Sequence, residues 1–128
     1  ARFSIRGKHI VEIGCGMAVP SIVAAKMGAA RAVATDLDSM ALEAVGVNRV
    51  LLRVSDVMPA PIKLEIGNLD HVAAVREERN DGNPFDMVIA ADIYYTKDHA
   101  FLRSIARTLV ALVASDGEKG GRAAAEEG

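Results

Sequence analysis

The run HIVEIGCGMAVP, residues 9–20, holds a strand, a turn and the start of a helix. His9 to Ile13 is nearly continuous in apolar and β-branched side chains, the composition of a strand covered on both faces. Glu12 is the exception, and a carboxylate near the end of such a strand needs a partner. Gly14 and Gly16 allow backbone angles that a Cβ blocks, and they let a ligand approach the main chain. Pro20 suits the first helical turn, where a missing N–H costs nothing. A strand, a glycine turn and a helix in this order form a nucleotide-binding crevice at the carboxyl end of a parallel sheet.

Working outward, Ala1 to Lys8 is a short polar lead-in. A helix is expected from Val19 to Met27, with Ile22, Val23, Lys26 and Met27 on one face and Gly28 closing it. Arg31 to Thr35 reads as a second strand ended by Asp36, completing a βαβ unit in about 30 residues. Asp38 or Ser39 caps a helix from Met40 to Val54 whose apolar side is Ala41, Ala44, Val45 and Leu52. Ile62 to Ile66 alternates as a third strand, and Gly67 and Asn68 end it. Leu69 to Glu78 is a short helix with Leu69, Val72, Ala73 and Val75 as its apolar side. Phe85 to Ala91 is a strong fourth strand with Asp92 at its end. Asp98 caps a helix from His99 to Ala114, apolar at Phe101, Leu102, Ile105, Ala106, Leu109, Val110 and Val113. The order βαβαβαβα predicts an α/β three-layer sandwich with a parallel sheet. Its functional residues then lie where strands end: Gly14 to Gly16, Asp36, Ile66 to Asn68, and Asp92 to Tyr95.

The totals narrow the classes. A chain of 128 residues, 51% hydrophobic, makes one domain with a real core; a domain near this size buries roughly two-thirds of its unfolded surface. The net charge of −2 with scattered Lys and Arg argues against a nucleic-acid groove, which shows as a basic patch. The single cysteine, Cys15, excludes an internal disulfide and fits a reducing compartment. His9, His71 and His99 lack ligand spacing, so no metal site is expected. No apolar run reaches the ~20 residues of a membrane span, and no signal peptide is visible. The first residue is Ala, so a processed or cut N-terminus is expected. Residues 1–115 are expected to form the domain, and the Gly, Ala and Glu of 116–128 a disordered tail.

The glycine turn does not match the dinucleotide fingerprint G-x-G-x-x-G, because Val19 stands at its third glycine. An acid comes first instead, at Glu12, and Asp36 follows Gly16 by 20 residues at the end of the next strand. A carboxylate there accepts two hydrogen bonds from a ribose diol. Asp36 also reads as a helix N-cap, and the glycines as a tight turn without a ligand.

These residues resemble the class I S-adenosylmethionine-dependent methyltransferases, which carry E-x-G-x-G and an acid at the next strand end. The finer resemblance is to the protein-lysine methyltransferases of methyltransferase family 16, the METTL21-like group. It rests on Ile10-Val11-Glu12-Ile13-Gly14-Cys15-Gly16-Met17-Ala18-Val19-Pro20 with Ile22, Ala24-Ala25 and Gly28-Ala29. It rests equally on Phe85-Asp86-Met87-Val88-Ile89-Ala90-Ala91-Asp92-Ile93-Tyr94-Tyr95, against the group's F-D-x-I-x-x-A-D-x-x-Y.

The resemblance implies a Rossmann-like, mostly parallel sheet and S-adenosyl-L-methionine as cofactor. Gly14, Cys15 and Gly16 would pass under its methionine part, Glu12 would hold that loop, and Asp36 would hold the ribose. Ile66 stands where the group carries a stacking aromatic, so it would cover the adenine without stacking worth about 0.5–1.5 kcal/mol. Ala91 would approach through its backbone. Asp92 would orient a substrate amine, and Tyr95 would wall the lysine channel with a cation–π contact. Asp92 also reads as a cap after a strand, and at least one of Tyr94 and Tyr95 as packing under the sheet edge. The run is not N-P-P-Y, which lowers nucleic acid and glutamine as targets. Cys15 as nucleophile is disfavoured, with no histidine near it in sequence.

Four strands stand where the resemblance implies seven, so the chain looks like the cofactor-binding half of a methyltransferase: a fragment, a truncated gene model or a degenerate copy. An unpaired sheet edge and uncovered apolar helix faces are expected. The expected function is methyl transfer to a lysine of a protein, with no nucleic-acid or membrane partner, a chaperone or heteromeric partner allowed, and a cytoplasmic or nuclear location. A non-catalytic, degenerate cofactor-binding or interaction module is the alternative. An NAD-dependent dehydrogenase is the third reading, disfavoured by Val19.

Overall fold

A computed structural model of the chain describes residues 3–79, 81–91, 93 and 97–115. The expected βαβαβαβα order is present: β1 His9–Ile13, α1 Val19–Lys26, β2 Arg31–Asp36, α2 Ser39–Leu51, β3 Ile62–Lys63, α3 Leu69–Glu77, β4 Met87–Ala90 and α4 His99–Val113. The four strands form one parallel sheet in the order β3-β2-β1-β4. The chain steps outward from β1 to β2 to β3, then returns to the far side of β1 for β4. That reversal is a topological switch point, and in open α/β sheets ligands bind at the carboxyl ends of strands there.

Period-two alternation along β1 and β2 sends side chains to two helix layers. Val11, Ile13 and Val33 enter a core with Val72 and Val75 of α3 and Leu112 of α4. Ala32 and Ala34 point the other way, into a core with Ala25 of α1, Val45 of α2, and Val54 and Met58. The three-layer α/β sandwich follows from that split.

Helix ends follow local chemistry. Asp38, Asn68 and Asp98 cap α2, α3 and α4 by accepting the N–H of Met40, His71 and Ala100 at 2.9, 3.1 and 2.9 Å. α1 closes with Ala29 N–H on Ala24 O and Gly28 N–H on Ala25 O, the Schellman pattern. α2 closes in the same pattern, with Val54 N–H on Arg49 O and Arg53 N–H on Val50 O. There the left-handed residue is Arg53, at φ 57. The expected extension of α2 to Val54 is therefore corrected to Leu51.

Other expectations need correction. β3 stops at Lys63 rather than Ile66, because Glu65 N–H turns away to His71 Nδ1 at 3.1 Å and Asn68 N–H closes a turn onto Glu65 O at 3.0 Å. β4 starts at Met87 rather than Phe85, because Phe85 N–H goes to Leu112 O at 2.8 Å. On α1 the buried side is Ser21, Ala24 and Ala25, while Val23 and Met27 are exposed. Small side chains let α1 lie close on the sheet, and Ser21 meets Glu12 there. On α3 the buried side is Val72, Val75 and Arg76, with Leu69 and Ala73 exposed. Of the helices described, none is long and apolar enough to cross a membrane. Residues 116–128 of the expected tail lie outside the described residues.

Candidate functional site

Glu12 shares its strand face with Ile10, toward α1. Its Oε2 accepts Ser21 Oγ–H at 2.5 Å and Ser21 N–H at 3.1 Å. Glu12 is 3% exposed. Burial pushes its pKa up, the Ser21 hydrogen bonds pull it down, and the nearby charge of Asp36 adds a small upward push. The side chain thereby locks the end of β1 to the first turn of α1, across the glycine turn.

The turn itself carries left-handed φ values of 62 at Gly14 and 51 at Gly16. The two glycines face different surroundings. A Cβ on Gly14 would lie 2.9 Å from Ile93 Cγ2, whereas one on Gly16 would meet nothing within 4 Å. Gly14 is therefore a close-packing position and Gly16 an open stretch of main chain. Ile93 packs onto the turn, a contact that no periodicity in the sequence signals.

Asp36 joins the turn to the next helix. Its Oδ2 accepts Gly16 N–H at 2.9 Å and its Oδ1 accepts Asp38 N–H at 2.9 Å. Asp38, not Asp36, is the N-cap of α2. Each Asp36 oxygen keeps a second lone pair for another donor. Cys15 N–H is held by Thr35 O at 2.9 Å, and Thr35 Oγ1 donates to Glu12 O at 2.8 Å. The Cys15 thiol is buried and its pKa is pushed up to about 12, by burial first and then by Asp36 and Glu12. A neutral, enclosed thiol is structural here.

The third loop comes alongside through β3. Asp36 pairs in register with Lys63, and Leu64 N–H reaches Asp36 O at 3.0 Å. Ile66 is half-buried against the α3–α4 core, and Gly67 N–H donates to Thr108 Oγ1 at 2.8 Å. Among the described residues, Ile66 N–H is the one donor between Leu64 and Asn68 with no partner. Ala91 follows β4 directly and is exposed. Asp86, of the Phe85-Asp86 pair, lies at the opposite end of β1. It accepts His9 N–H at 2.8 Å, which holds its carboxyl below the usual range.

The sheet thus brings Glu12, Cys15, Gly16 and Asp36 into one hydrogen-bonded unit around Gly14, with the Ile66 turn bound to it through Leu64. Asp92, Tyr94 and Tyr95 lie outside the described residues. Ser21, Thr35 and Thr108 were not singled out from the sequence, and Ile93 only as part of the run Asp92 to Tyr95. The two buried hydroxyls on helices had one available signal, a polar residue on the sheet-facing side. A groove of about 760 Å³ lies elsewhere, between α3 and α4, lined by Leu69, Val72, Arg76, Arg107 and Val110 among others.

Comparison with known proteins places this geometry. The model of the ribosomal protein L11 methyltransferase (PrmA) family matches residues 2–117. The ribosomal protein L11 methyltransferase of Prochlorococcus marinus is 37% identical over 67 residues, 52% of this chain and 21% of that protein. The human electron transfer flavoprotein beta subunit lysine methyltransferase is 31% identical over 97 residues, 75% of this chain and 32% of that protein. The chain therefore spans about a fifth to a third of these relatives. Among solved structures, magnesium protoporphyrin IX methyltransferase from Synechocystis PCC 6803 with bound SAH aligns at a TM-score of 0.66 and 17% identity. That alignment covers 86% of this chain and 44% of that one. PKMT2 from Rickettsia typhi, in complex with AdoHcy, aligns at 0.64 and 18%, covering 85% and 19%. At such identities the likeness establishes the fold, a Rossmann-like methyltransferase core.

Proposed function

This chain belongs to the ribosomal protein L11 methyltransferase family, and from that premise we propose that it is the S-adenosylmethionine-binding core of an enzyme that methylates a lysine side chain of a protein. The observation that carries the reading is the 2.9 Å bond from Gly16 N–H to Asp36 Oδ2. It ties an open glycine turn to an acid at the end of the neighbouring strand, on the switch point of the sheet. The residues suit the cofactor. Gly16 leaves main chain uncovered for the methionine part. Asp36 has spare lone pairs for a ribose diol. Glu12 and Cys15 hold the turn from beneath, and Ile66 and Ala91 flank it at the ends of β3 and β4.

S-adenosylmethionine, when bound, supplies an electrophilic methyl on a sulfonium. In-line displacement leaves the protein mainly the work of positioning. In this reading Asp92 orients the substrate amine and Tyr95 walls its channel, as the resemblance to methyltransferase family 16 implies. A lysine ε-amine attacks only when neutral, so its proton leaves to solvent, or a desolvated channel lowers its pKa. The protein substrate is supported by the names of two relatives, which act on ribosomal protein L11 and on the electron transfer flavoprotein beta subunit. We place the protein in the cytoplasm, with the nucleus as second location, because a free Cys15 suits a reducing compartment. A chaperone or heteromeric partner belongs to the same proposal.

Calorimetric titration with S-adenosylmethionine and with NAD tests the reading. Heat with the first and none with the second is expected, and Asp36→Ala is expected to weaken binding at least tenfold. NAD binding alone would sink the proposal. Radiolabelled methyl transfer to a lysate, with Asp92→Ala as control, then tests catalysis; label that persists in the variant would remove Asp92 from its role.

A further inference from the structure

Thr108 of α4 is fully buried, and its hydroxyl has no part in the function proposed above. Its Oγ1–H donates to Ser104 O at 2.8 Å, one helical turn back. That commits the proton and leaves a lone pair for Gly67 N–H, also at 2.8 Å. α4 lies directly against the turn: a Cβ on Gly67 would come within 3.4 Å of Ser104 Cβ and Oγ. Gly67 also stands at φ 90, which side-chain-bearing residues rarely adopt. The turn is pinned on both sides of Ile66, by Glu65 N–H on His71 Nδ1 and by Gly67 N–H on Thr108. The unpartnered Ile66 N–H is therefore held in place rather than free to turn away.

We propose that Thr108 is a positioning residue for the cofactor. By fixing Gly67 it holds the Ile66–Gly67 turn in the shape that meets the nucleoside half of the methyl donor. The inference rests on the reading of the site in the preceding section. It makes α4, the helix that follows the substrate-facing run, a determinant of cofactor affinity without contact to the cofactor.

The test is calorimetric titration of S-adenosylhomocysteine into the chain and three variants at low temperature, each checked for folding by circular dichroism. Thr108→Val keeps the shape and loses the acceptor, and affinity should fall about tenfold. Thr108→Ser restores the hydroxyl and should bind within twofold of wild type. Thr108→Cys, with a weak acceptor, should fall between them at about threefold. A folded Val variant that binds as wild type overturns the role, since a purely structural hydroxyl would lower the thermal midpoint and leave affinity alone. A Ser variant as weak as Val overturns it too, because the methyl group would then matter and not the hydroxyl. Should Val fail to fold, the Ser and Cys pair carries the same comparison. A wild-type chain that binds no S-adenosylhomocysteine overturns the methyl-donor reading itself, an outcome distinct from binding that Thr108 does not affect.

Discussion

Glu12 is a carboxylate almost sealed from water and held by one serine, and its energetics depend on pH. Burial raises its folded pKa above the ordinary value of 4.5. Between that value and the raised one, the folded chain keeps a proton that the unfolded chain has released. The associated stability is full below about pH 4.5 and is lost as pH rises through the folded pKa. Glu12→Gln keeps an acceptor for Ser21 and never ionises. It is expected to lose less stability than wild type between pH 4.5 and 7.5, measured by urea denaturation at both values. Equal losses would mean that the Ser21 bonds offset the burial of the charge. The neighbouring Cys15 was disfavoured as a nucleophile, and its thiol is buried. Asp36 was open between ribose acceptor and N-cap; Asp38 does the capping, and Asp36 bridges Gly16 to Asp38.

At the scale of elements, strand and helix order was readable because apolar periodicity and capping residues are local signals. Boundaries moved where a bond outside the sheet competed with the local pattern. Glu65 N–H prefers His71 to the sheet, and Phe85 N–H prefers Leu112. Helix faces moved for the same kind of reason. α3 buries Arg76, which periodicity assigns to the polar side. Its guanidinium donates to Gly82 O at 2.8 Å and Ala111 O at 3.3 Å, joining α3 to the following loop and to α4. Charge-assisted bonds to carbonyls are stronger than neutral ones. Arg76→Ala is expected to cost about 3 kcal/mol, read as a lower denaturation midpoint. Arg76→Lys should recover less than half, because an ammonium lacks the planar fork. A full recovery by lysine would show that charge alone suffices there.

At the scale of the molecule, β4 pairs with β1 on one side only among the described residues, and Val19 and Val23 of α1 and Met27 just after it stay exposed. The chain also spans 44% and 19% of the two methyltransferase structures it aligns with. The carboxyl end of its sheet is nevertheless assembled, since the segments after β1 and β3 are both hydrogen-bonded to Asp36 at the end of β2. A ligand that binds only the folded chain at 100 times its Kd adds about 2.7 kcal/mol. S-adenosylhomocysteine at that level should therefore raise the thermal midpoint by about 10 °C, and NAD should leave it unchanged. No shift with either ligand would leave the chain as a non-binding copy of the fold.

Residues 9–20, Asp36 and the Phe85–Tyr95 run determined the α/β class and pointed to the carboxyl end of the sheet, where Glu12, Gly14, Cys15, Gly16 and Asp36 come together. Those features are encoded locally, in two-residue and 3.6-residue periods and in glycine turns. The strand order that makes β1 the switch point was decided by tertiary structure. So were the pairing of Glu12 with Ser21, the contact of Ile93 with Gly14, and the grip of Thr108 on Gly67. Each of these joins residues distant in sequence or facing each other across two elements. Which hydroxyl or amide is brought within 3 Å of which carboxylate depends on how helices seat on the sheet, and that follows from packing rather than pattern.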